Sequence, residues 1–498
     1  MQAFKTQRLV LTIGILSALG NHDMLNAWGT NQRNDPFPSY TSIDPQYFLQ
    51  QREKDLILGL ADEKGTPERV MISISPFGQN ADQAKTLGAT YCQYTAATFP
   101  QGQCAALCEY SAIQFPACWN GVNIGDIDGR WNLLGLLAGP LPVGFNPATA
   151  PLLVAAAAAL FPGIPLGDIS ALNIQVPTND TGIPVMRTAG YVSVPLKYRK
   201  RGVRWDIEAQ ICGDFGLQFQ GGFVEITQVL NPSFINLTTA DIVTCTETIP
   251  LKTYECNLFD PLVQIAAELG LNICNFTNWG FEDLYLALYW RHAHVINFNR
   301  DLSWARFLLI PFARIAGGLA TGKPKHYNYQ FSLPFGNNGS NSINVCAGMN
   351  FDFAETVEIG GELGYSHFFK KDFADFRVPT NPLQSGIYPF ATNVSVRPGP
   401  TAYFAAKLAA YHFLDRLSFF FQWAFVHHRF DHIELLSTDT AFDVTKCPNT
   451  AWRVQLGNFA FNYDLTPNVS LGFLWQQMFH VRNAYNSTTI LFTVNLIF

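Results

Sequence analysis

The sequence predicts an all-β chain folded as a transmembrane antiparallel β-barrel of about 14 to 16 strands, with long extracellular loops and short periplasmic turns. The first of three observations behind this is the segment Asn486 to Phe498, NSTTILFTVNLIF. Ile490, Phe492, Val494, Leu496 and Phe498 are apolar at every second position, and the last of them is the terminal aromatic. That period belongs to one face of a strand. The second is composition. Charged residues make up only 14 % of the 498 residues, against roughly 25 % in ordinary soluble domains. Aromatics also reach 14 %, with 41 Phe beside 38 Gly. The third is the spread of the apolar residues. No uninterrupted apolar stretch of about eighteen occurs, which argues against helical spans and fits residues placed on alternate positions facing lipid. Length alone would suggest three domains at about 150 residues each, but a closed sheet uses the whole chain in one.

At the amino terminus, Lys5 and Arg8 precede an apolar run from Leu9 to Leu19, followed by Gly20 and a second cleavage point near Ala27. Residues 1–27 therefore read as a secretory signal peptide, the run being too short to span a bilayer as a helix. Residues 28–68 read as a periplasmic segment and 69–498 as the barrel. From the carboxyl end backward, Val469 to Arg482 pairs with the last strand. The turn Asp464 to Asn468 leads back to Ala451 to Tyr463. Leu417 to Arg429 and Thr401 to Leu414 form the next pair. Val357 to Phe369 and Ser342 to Ala354 follow across Glu355 and Thr356, then Ser303 to Thr321 and Leu284 to Asn299. Long polar loops lie on the opposite end: Asp431 to Thr450, Lys370 to Pro400, Gly322 to Asn341 and Gln228 to Asp283.

Upstream, Phe215 to Thr227, Val203 to Cys212 and Gly190 to Tyr198 alternate well, with Arg199 to Gly202 read as a turn; Arg69 to Ser75 and Ile127 to Leu137 complete fourteen. This parity puts Ala138 to Met186 in the periplasm. Its Ala-rich stretch Pro151 to Pro162 reads as a short plug or constriction helix, as a peripheral helix, or as cover for a missed strand pair.

Alternation also assigns faces. Trp205, Ile207 and Ile211 face lipid, and Arg204, Asp206 and Glu208 face a wet lumen. A Lys or Arg facing lipid at mid-bilayer costs roughly 2 to 4 kcal/mol, so strand charges belong inside. The expected pore-lining set is Arg204, Asp206, Glu208, Asp352, Glu358, Glu362, Lys407, Arg453 and Arg482, together with Lys197. Its signs nearly balance, as in a general diffusion pore. The phase change along Ala451 to Tyr463 predicts a bulge near Gly457. Five histidines, His292, His294, His427, His428 and His432, have no Ser motif at a matching spacing, so no enzyme is expected and no cofactor. The net charge of −6 and pI near 5.9 point away from nucleic acid.

Ten cysteines remain. Cys92, Cys104, Cys108 and Cys118 crowd one loop, Cys245, Cys256 and Cys274 another, and Cys447 a third. Disulfides are the default in an exported chain. Zinc at Cys104-x3-Cys108 has no complementary ligand pair, so no metal is expected. Cys212 and Cys346 lie in strands.

The signal peptide, the Cys-bearing first loop, the strand-turn-strand around Val203 to Val224 and the terminal Phe498 together resemble the Cys-rich major outer-membrane porins of chlamydiae and chlamydia-like bacteria. The terminal strand also resembles the signal read by the outer-membrane barrel assembly machinery. These resemblances imply an outer-membrane porin for small hydrophilic solutes or ions, set among outer-membrane lipid. They further imply a structural envelope role through disulfide-crosslinked partners, and a homotrimer. The alternatives are a channel for hydrophobic compounds of fatty-acid-transporter type, or a surface adhesin or structural barrel.

Overall fold

A computed structural model describes residues 70–85, 127–132, 140–160, 166, 191–212, 214–230, 233–235, 242–243, 248–249, 262–297, 306–329, 331–353, 356–380, 388–414, 416–447, 450–466, 468–482 and 484–498. The expected signal peptide, the 28–68 segment and six loop cysteines (Cys92, Cys104, Cys108, Cys118, Cys245 and Cys256) lie outside these residues. In chain order the first elements are β1 Val70–Lys85, β2 Ile127–Asn132, α1 Pro151–Leu160, β3 Tyr191–Cys212 and β4 Phe215–Leu230. Then come β5 Ser233–Ile235, β6 Ile242–Val243, β7 Thr248–Ile249, α2 Leu262–Glu268, β8 Phe276–Phe281, β9 Leu284–Arg291 and β10 His294–Asn297. The third group is β11 Arg306–Leu319, β12 Ser342–Phe353, β13 Val357–Phe368, β14 Lys371–Arg377, β15 Ala391–Arg397 and β16 Thr401–Leu414. The chain ends with β17 Leu417–His428, β18 His432–Leu435, β19 Trp452–Thr466, β20 Val469–Arg482 and β21 Ala484–Ile497.

Sixteen of these strands form one antiparallel sheet, and twelve close into a ring in the order β1, β21, β20, β19, β17, β16, β13, β12, β11, β9, β4, β3 and back to β1. The other four extend the wall rather than widen it. β5 keeps the register of β4 along β3, and β10 keeps that of β9 along β11. β2 lies beyond β1 on the same edge of β3, and β8 beyond β9 on the same edge of β4. The expected count of about 14 to 16 thus becomes twelve around the ring. Two readings caused the overcount: Ile127 to Leu137 yields β2, which continues β1 along β3 instead of adding a strand to the ring, and Arg199 to Gly202 sits inside one continuous strand, β3, hydrogen-bonded on both sides to β1 and β4. A cluster of three cations reads locally as a turn, but ladder bonds on both edges override that preference.

β1 ascends, as the even count already required, from its pairing with Phe498, whose backbone N and O bond Val70, and β3 descends over its whole length to the turn before β4. β2 and α1 between them therefore lie at the long-loop end, not on the periplasmic side. α1 forms where the Ala-rich stretch predicted a helix, after Pro at its first position. It packs on α2, whose Glu268 carboxylate accepts Leu152 N at 3.0 Å and Leu153 N at 3.1 Å, occupying donors that a helix start leaves open.

A small sheet of β14, β15 and β18 stands on the same end over a core of Phe376, Val378, Val394, Val396 and Phe442. Arg377 lashes it to α2, donating to Leu269 O at 3.1 Å, Gly270 O at 2.9 Å and the carbonyl of Pro389. Burial pulls its pKa down to about 10, against the pull of Asp375, so it stays charged at neutral pH.

Candidate functional site in the barrel lumen

The strands alternate between two surfaces. Outward residues are large and apolar: Ile74, Val203, Ile207, Phe219, Leu286, Ile315, Phe351, Leu363, Phe404, Phe461, Leu471 and Phe492 are all exposed. Contact pairs such as Phe421–Phe459, Phe459–Trp475 and Phe473–Phe492 knit this surface across strands. Inward residues are mostly polar. On the wall made by β1, β21, β20, β19 and β17, Ser73 Oγ donates to Asn495 Oδ1 at 2.7 Å, and the Ser75 and Thr493 hydroxyls lie 2.9 Å apart. Gln79 Nε2 reaches Thr489 Oγ1 at 3.0 Å, Asn495 Nδ2 donates to Ser470 at 2.9 Å, and Asn458 Nδ2 donates to Gln422 at 2.9 Å. Thr493 and Asn495 thus face inward while Phe492 and Val494 face out, as the terminal alternation predicts.

The opposite wall carries charge. Between β8 and β9 the strand holds one residue more than β4 across from it, a bulge at Glu282 and Asp283. The bulge turns Glu282 into the lumen, where its carboxylate takes both Nε and Nη2 of Arg204 at 2.9 Å and Lys200 Nζ at 2.5 Å. All three are buried, so the bidentate pair and its second cation form a desolvated triad. Phe77 of β1 lies 4.0 Å under the Arg204 guanidinium. Gly222 permits the approach, since a Cβ there would overlap the Glu282 carboxylate. Lower on the same wall Arg314 Nη1 donates to Gln218 Oε1 at 2.6 Å, and Gln218 Nε2 to Asp206 at 3.2 Å. On the β13–β16 side Lys407 Nζ meets Glu358 at 2.8 Å.

The loop from β11 to β12, residues 320–341, folds inward instead of standing clear. Asp283 accepts Gly322 N at 2.9 Å and Asn337 N at 2.5 Å, and Tyr198 of β3 donates its hydroxyl to Phe331 O at 2.7 Å. Phe331, Leu333 and Phe335 are buried by this fold. A Cβ at Gly336 would collide with the Asp283 carboxyl, so the chain's closest approach falls on glycine. At the same end the inward surface of the far wall is apolar: Trp452, Val454 and Leu456 of β19 cluster with Val426, Met478 and Val481. His428 stacks on Trp452 at 5.2 Å and bridges Thr401 Oγ1 at 2.8 Å to Asp431 Oδ1 at 3.1 Å. Inward side chains are nearly shut off from solvent. Ser75, Arg204, Asp206, Glu208, Asp352, Glu358 and Gln476 each expose 2 % or less. These side chains pack against one another and leave little of their own surface to solvent.

Seven of the sequence-predicted residues, Arg204, Asp206, Glu208, Asp352, Glu358, Glu362 and Lys407, point into the barrel. Arg453 does not. β19 pairs with β17 in unbroken register, and the extra residue is Phe479 on β20, so Trp452, Val454 and Leu456 take the inward phase and Arg453 the outer one. The bulge expected near Gly457 therefore lies across the ladder from it. Arg482 pairs with Arg453 through the backbone, and its side chain lies outside the described residues. Lys197 is exposed on the outer face of β3. Of the disulfide candidates, Cys274 is an exposed free thiol, and Cys447 is a half-buried thiol packed against the β14–β15–β18 core. Cys274 lies between α2 and β8 and Cys447 at the foot of a 3-10 turn, each held by separate local structure. Among the described residues no cluster of three or more metal-ligating side chains occurs. Sequence reasoning missed Glu282, Asp283, Lys200 and Arg314; the one available signal was the adjacent acids Glu282-Asp283 inside an otherwise apolar alternating run.

A closed antiparallel ring with an apolar outer belt and a polar interior is the only β architecture that leaves no unpaired backbone edge toward lipid. The chain is a membrane-spanning β-barrel of the outer-membrane type. No known protein family matches it, and no curated protein does. Solved structures similar to it include the COG4313 outer membrane channel from Pseudomonas putida F1, at 9 % identity over 88 % of this chain and 98 % of that one, with a TM-score of 0.39. The translocator domain of the autotransporter NalP from Neisseria meningitidis is similar at 9 % identity over 90 % and 95 %, TM-score 0.32. A Pseudomonas aeruginosa FadL homologue is similar at 7 % identity over 86 % and 90 %, TM-score 0.26. Scores this low do not bear on the assignment, which stands on the barrel's own geometry.

Proposed function

We propose that the protein is an outer-membrane channel for small hydrophilic solutes, described here in a closed conformation. The observation that carries this reading is the set of inward polar and ionisable side chains on β1, β3, β4, β12, β13, β20 and β21, interrupted by apolar ones such as Val224, Ala287, Ala405 and Leu491. The near balance of charge expected from the sequence shifts once Arg453 and Lys197 take the outer face. Lys200, Arg204, Arg314 and Lys407 then stand against Asp206, Glu208, Glu282, Asp352, Glu358 and Glu362. An acidic excess in a narrow lumen favours cations over anions.

One observation favours the second reading, a channel for hydrophobic compounds: the inward cluster of Trp452, Val454, Leu456, Val426, Met478 and Val481 would accept an apolar body. Swelling of proteoliposomes separates the two. Influx of neutral amino acids and small sugars, unaffected by fatty acid, supports the hydrophilic path. Influx of small aromatic or fatty acids with sugars excluded overturns it. Kinship with the Cys-rich porins of chlamydia-like bacteria, crosslinking to envelope partners through the exposed Cys274, recognition of Phe498 by the assembly machinery, and trimerisation belong to the same proposal. Mass spectrometry of non-reduced envelopes tests the crosslink.

A further inference from the structure

We propose that His292 and His294, on the outer face of the barrel at its short-turn end, chelate a late first-row divalent metal ion (copper, nickel or zinc), with Asp214 orienting the first imidazole. β9 and β10 keep one register along β11, Arg291 pairing with Phe312 and His294 with Leu309. The two histidines are therefore second neighbours on one extended run, on the same face and about 7 Å apart along the backbone. That face is the outer one: Leu286 and Leu288 are exposed at the preceding even positions, while Ala287 and Tyr289 at the odd ones are buried. The rings stand closer than their backbones, with centroids 4.2 Å apart, edge to face at 68°. An ion bonded at about 2.1 Å to each of two neighbouring imidazoles holds their centroids roughly 4.5 to 5 Å apart, so these rings need move little to share one.

Depth and hydrogen bonding both suit a ligand pair. Asp214 lies in the turn between β3 and β4, and Phe215, the first residue of β4, faces Trp290 across the ladder. The Trp290 indole lies nearly parallel to the His292 ring at 6.4 Å. An indole on the outer face at a strand end belongs to the boundary between membrane and water. His292 and His294 follow it toward the short-turn end, the first half-buried and the second exposed. Asp214 holds this stretch twice: its backbone O accepts Arg291 N at 2.9 Å, and its Oδ2 lies 2.6 Å from His292 Nδ1. A carboxylate there keeps the ring proton on Nδ1, leaves the Nε2 lone pair as the ligand and makes it more basic, the outer-shell arrangement that metal-binding histidines regularly have. Arg291 takes the inward phase, over the Tyr289 ring at 6.0 Å, and keeps its charge on the other side of the wall. With two imidazole nitrogens as the protein's ligands and water as the rest, copper should bind most tightly of the three metals.

Frozen-solution electron paramagnetic resonance of the folded, untagged protein in non-ionic detergent, with its thiols alkylated and one equivalent of Cu2+ added, reads the site directly. The native spectrum should show two nitrogen ligands. His292→Gln and His294→Gln should each leave one, with affinity lowered at least about tenfold. Asp214→Ala should keep the two-nitrogen spectrum at saturating Cu2+ while weakening binding about ten- to a hundredfold. His427→Gln with His432→Gln, at the long-loop end, should match the parent. An unheated gel shift confirms that each barrel is folded before comparison. Fewer than two nitrogens in the native spectrum, or two nitrogens retained in both single histidine variants, would overturn the assignment. Unchanged affinity in Asp214→Ala would remove Asp214 from it.

Discussion

Glu282 holds two buried cations, Arg204 and Lys200, and it owes that position to a single inserted residue in the wall. Removing one member of a buried ionic group leaves the rest uncompensated in a low dielectric, which costs about 3 to 5 kcal/mol. Glu282→Gln is therefore expected to lower the temperature at which the unheated, fast-migrating gel form is lost, whereas Glu282→Asp should lower it less. A Gln variant as heat-resistant as the parent would mean that the triad is not what holds β3 to the bulge. Gly222→Ala acts on the same group sterically, since its Cβ needs the space of the Glu282 carboxylate. It should reproduce part of the loss. At this scale the sequence was informative where alternation ran undisturbed. Arg204, Asp206 and Glu208 share one face because three successive odd neighbours are apolar. Glu282 and Arg453 were not legible, because each depends on a bulge, and a bulge moves the phase without any local residue announcing it.

At the scale of elements, residues 320–341 are the part best placed to open the lumen. Their hold on the wall includes two backbone donors on Asp283, the Tyr198 hydroxyl on Phe331 O, the Thr321 hydroxyl on Glu282 O at 3.0 Å, Lys323 Nζ on Trp279 O at 2.8 Å and Asn337 Nδ2 on the Tyr285 hydroxyl at 3.0 Å. Asp283→Ala removes two of these contacts at once. It should raise mean conductance and speed proteolysis within the loop, while leaving the barrel's heat resistance close to the parent's. Conductance that ignores this change would exclude the loop as a gate. The loop's length and its place between two strands were legible; its inward course was not, because it depends on contacts with strands far away in sequence. The error over Ala138 to Met186 has the same origin. Reading Arg199 to Gly202 as a turn split β3 and gave Gly190 to Tyr198 and Ile127 to Leu137 the wrong direction, while that of β1 was unaffected.

For the whole molecule, the ring of twelve strands explains why polar inward residues show so little exposure. Eight strands leave an interior that side chains fill, and porins of about sixteen leave an aqueous channel. Twelve lies between, so a modest movement of wall side chains or of the inward loop decides between closed and conducting. The alternating strands, the polar interior and the long-loop end were all visible in the chain as period-two patterns and Pro-, Asn- and Ser-rich gaps. The ring size was not, because it depends on which segments continue one another across the sheet. Single-channel recording of the purified protein in a planar bilayer tests the central claim most directly. The account predicts discrete, small openings with a preference for cations, and a higher open fraction for Asp283→Ala. A folded barrel that inserts from detergent yet carries no current in either form would contradict it.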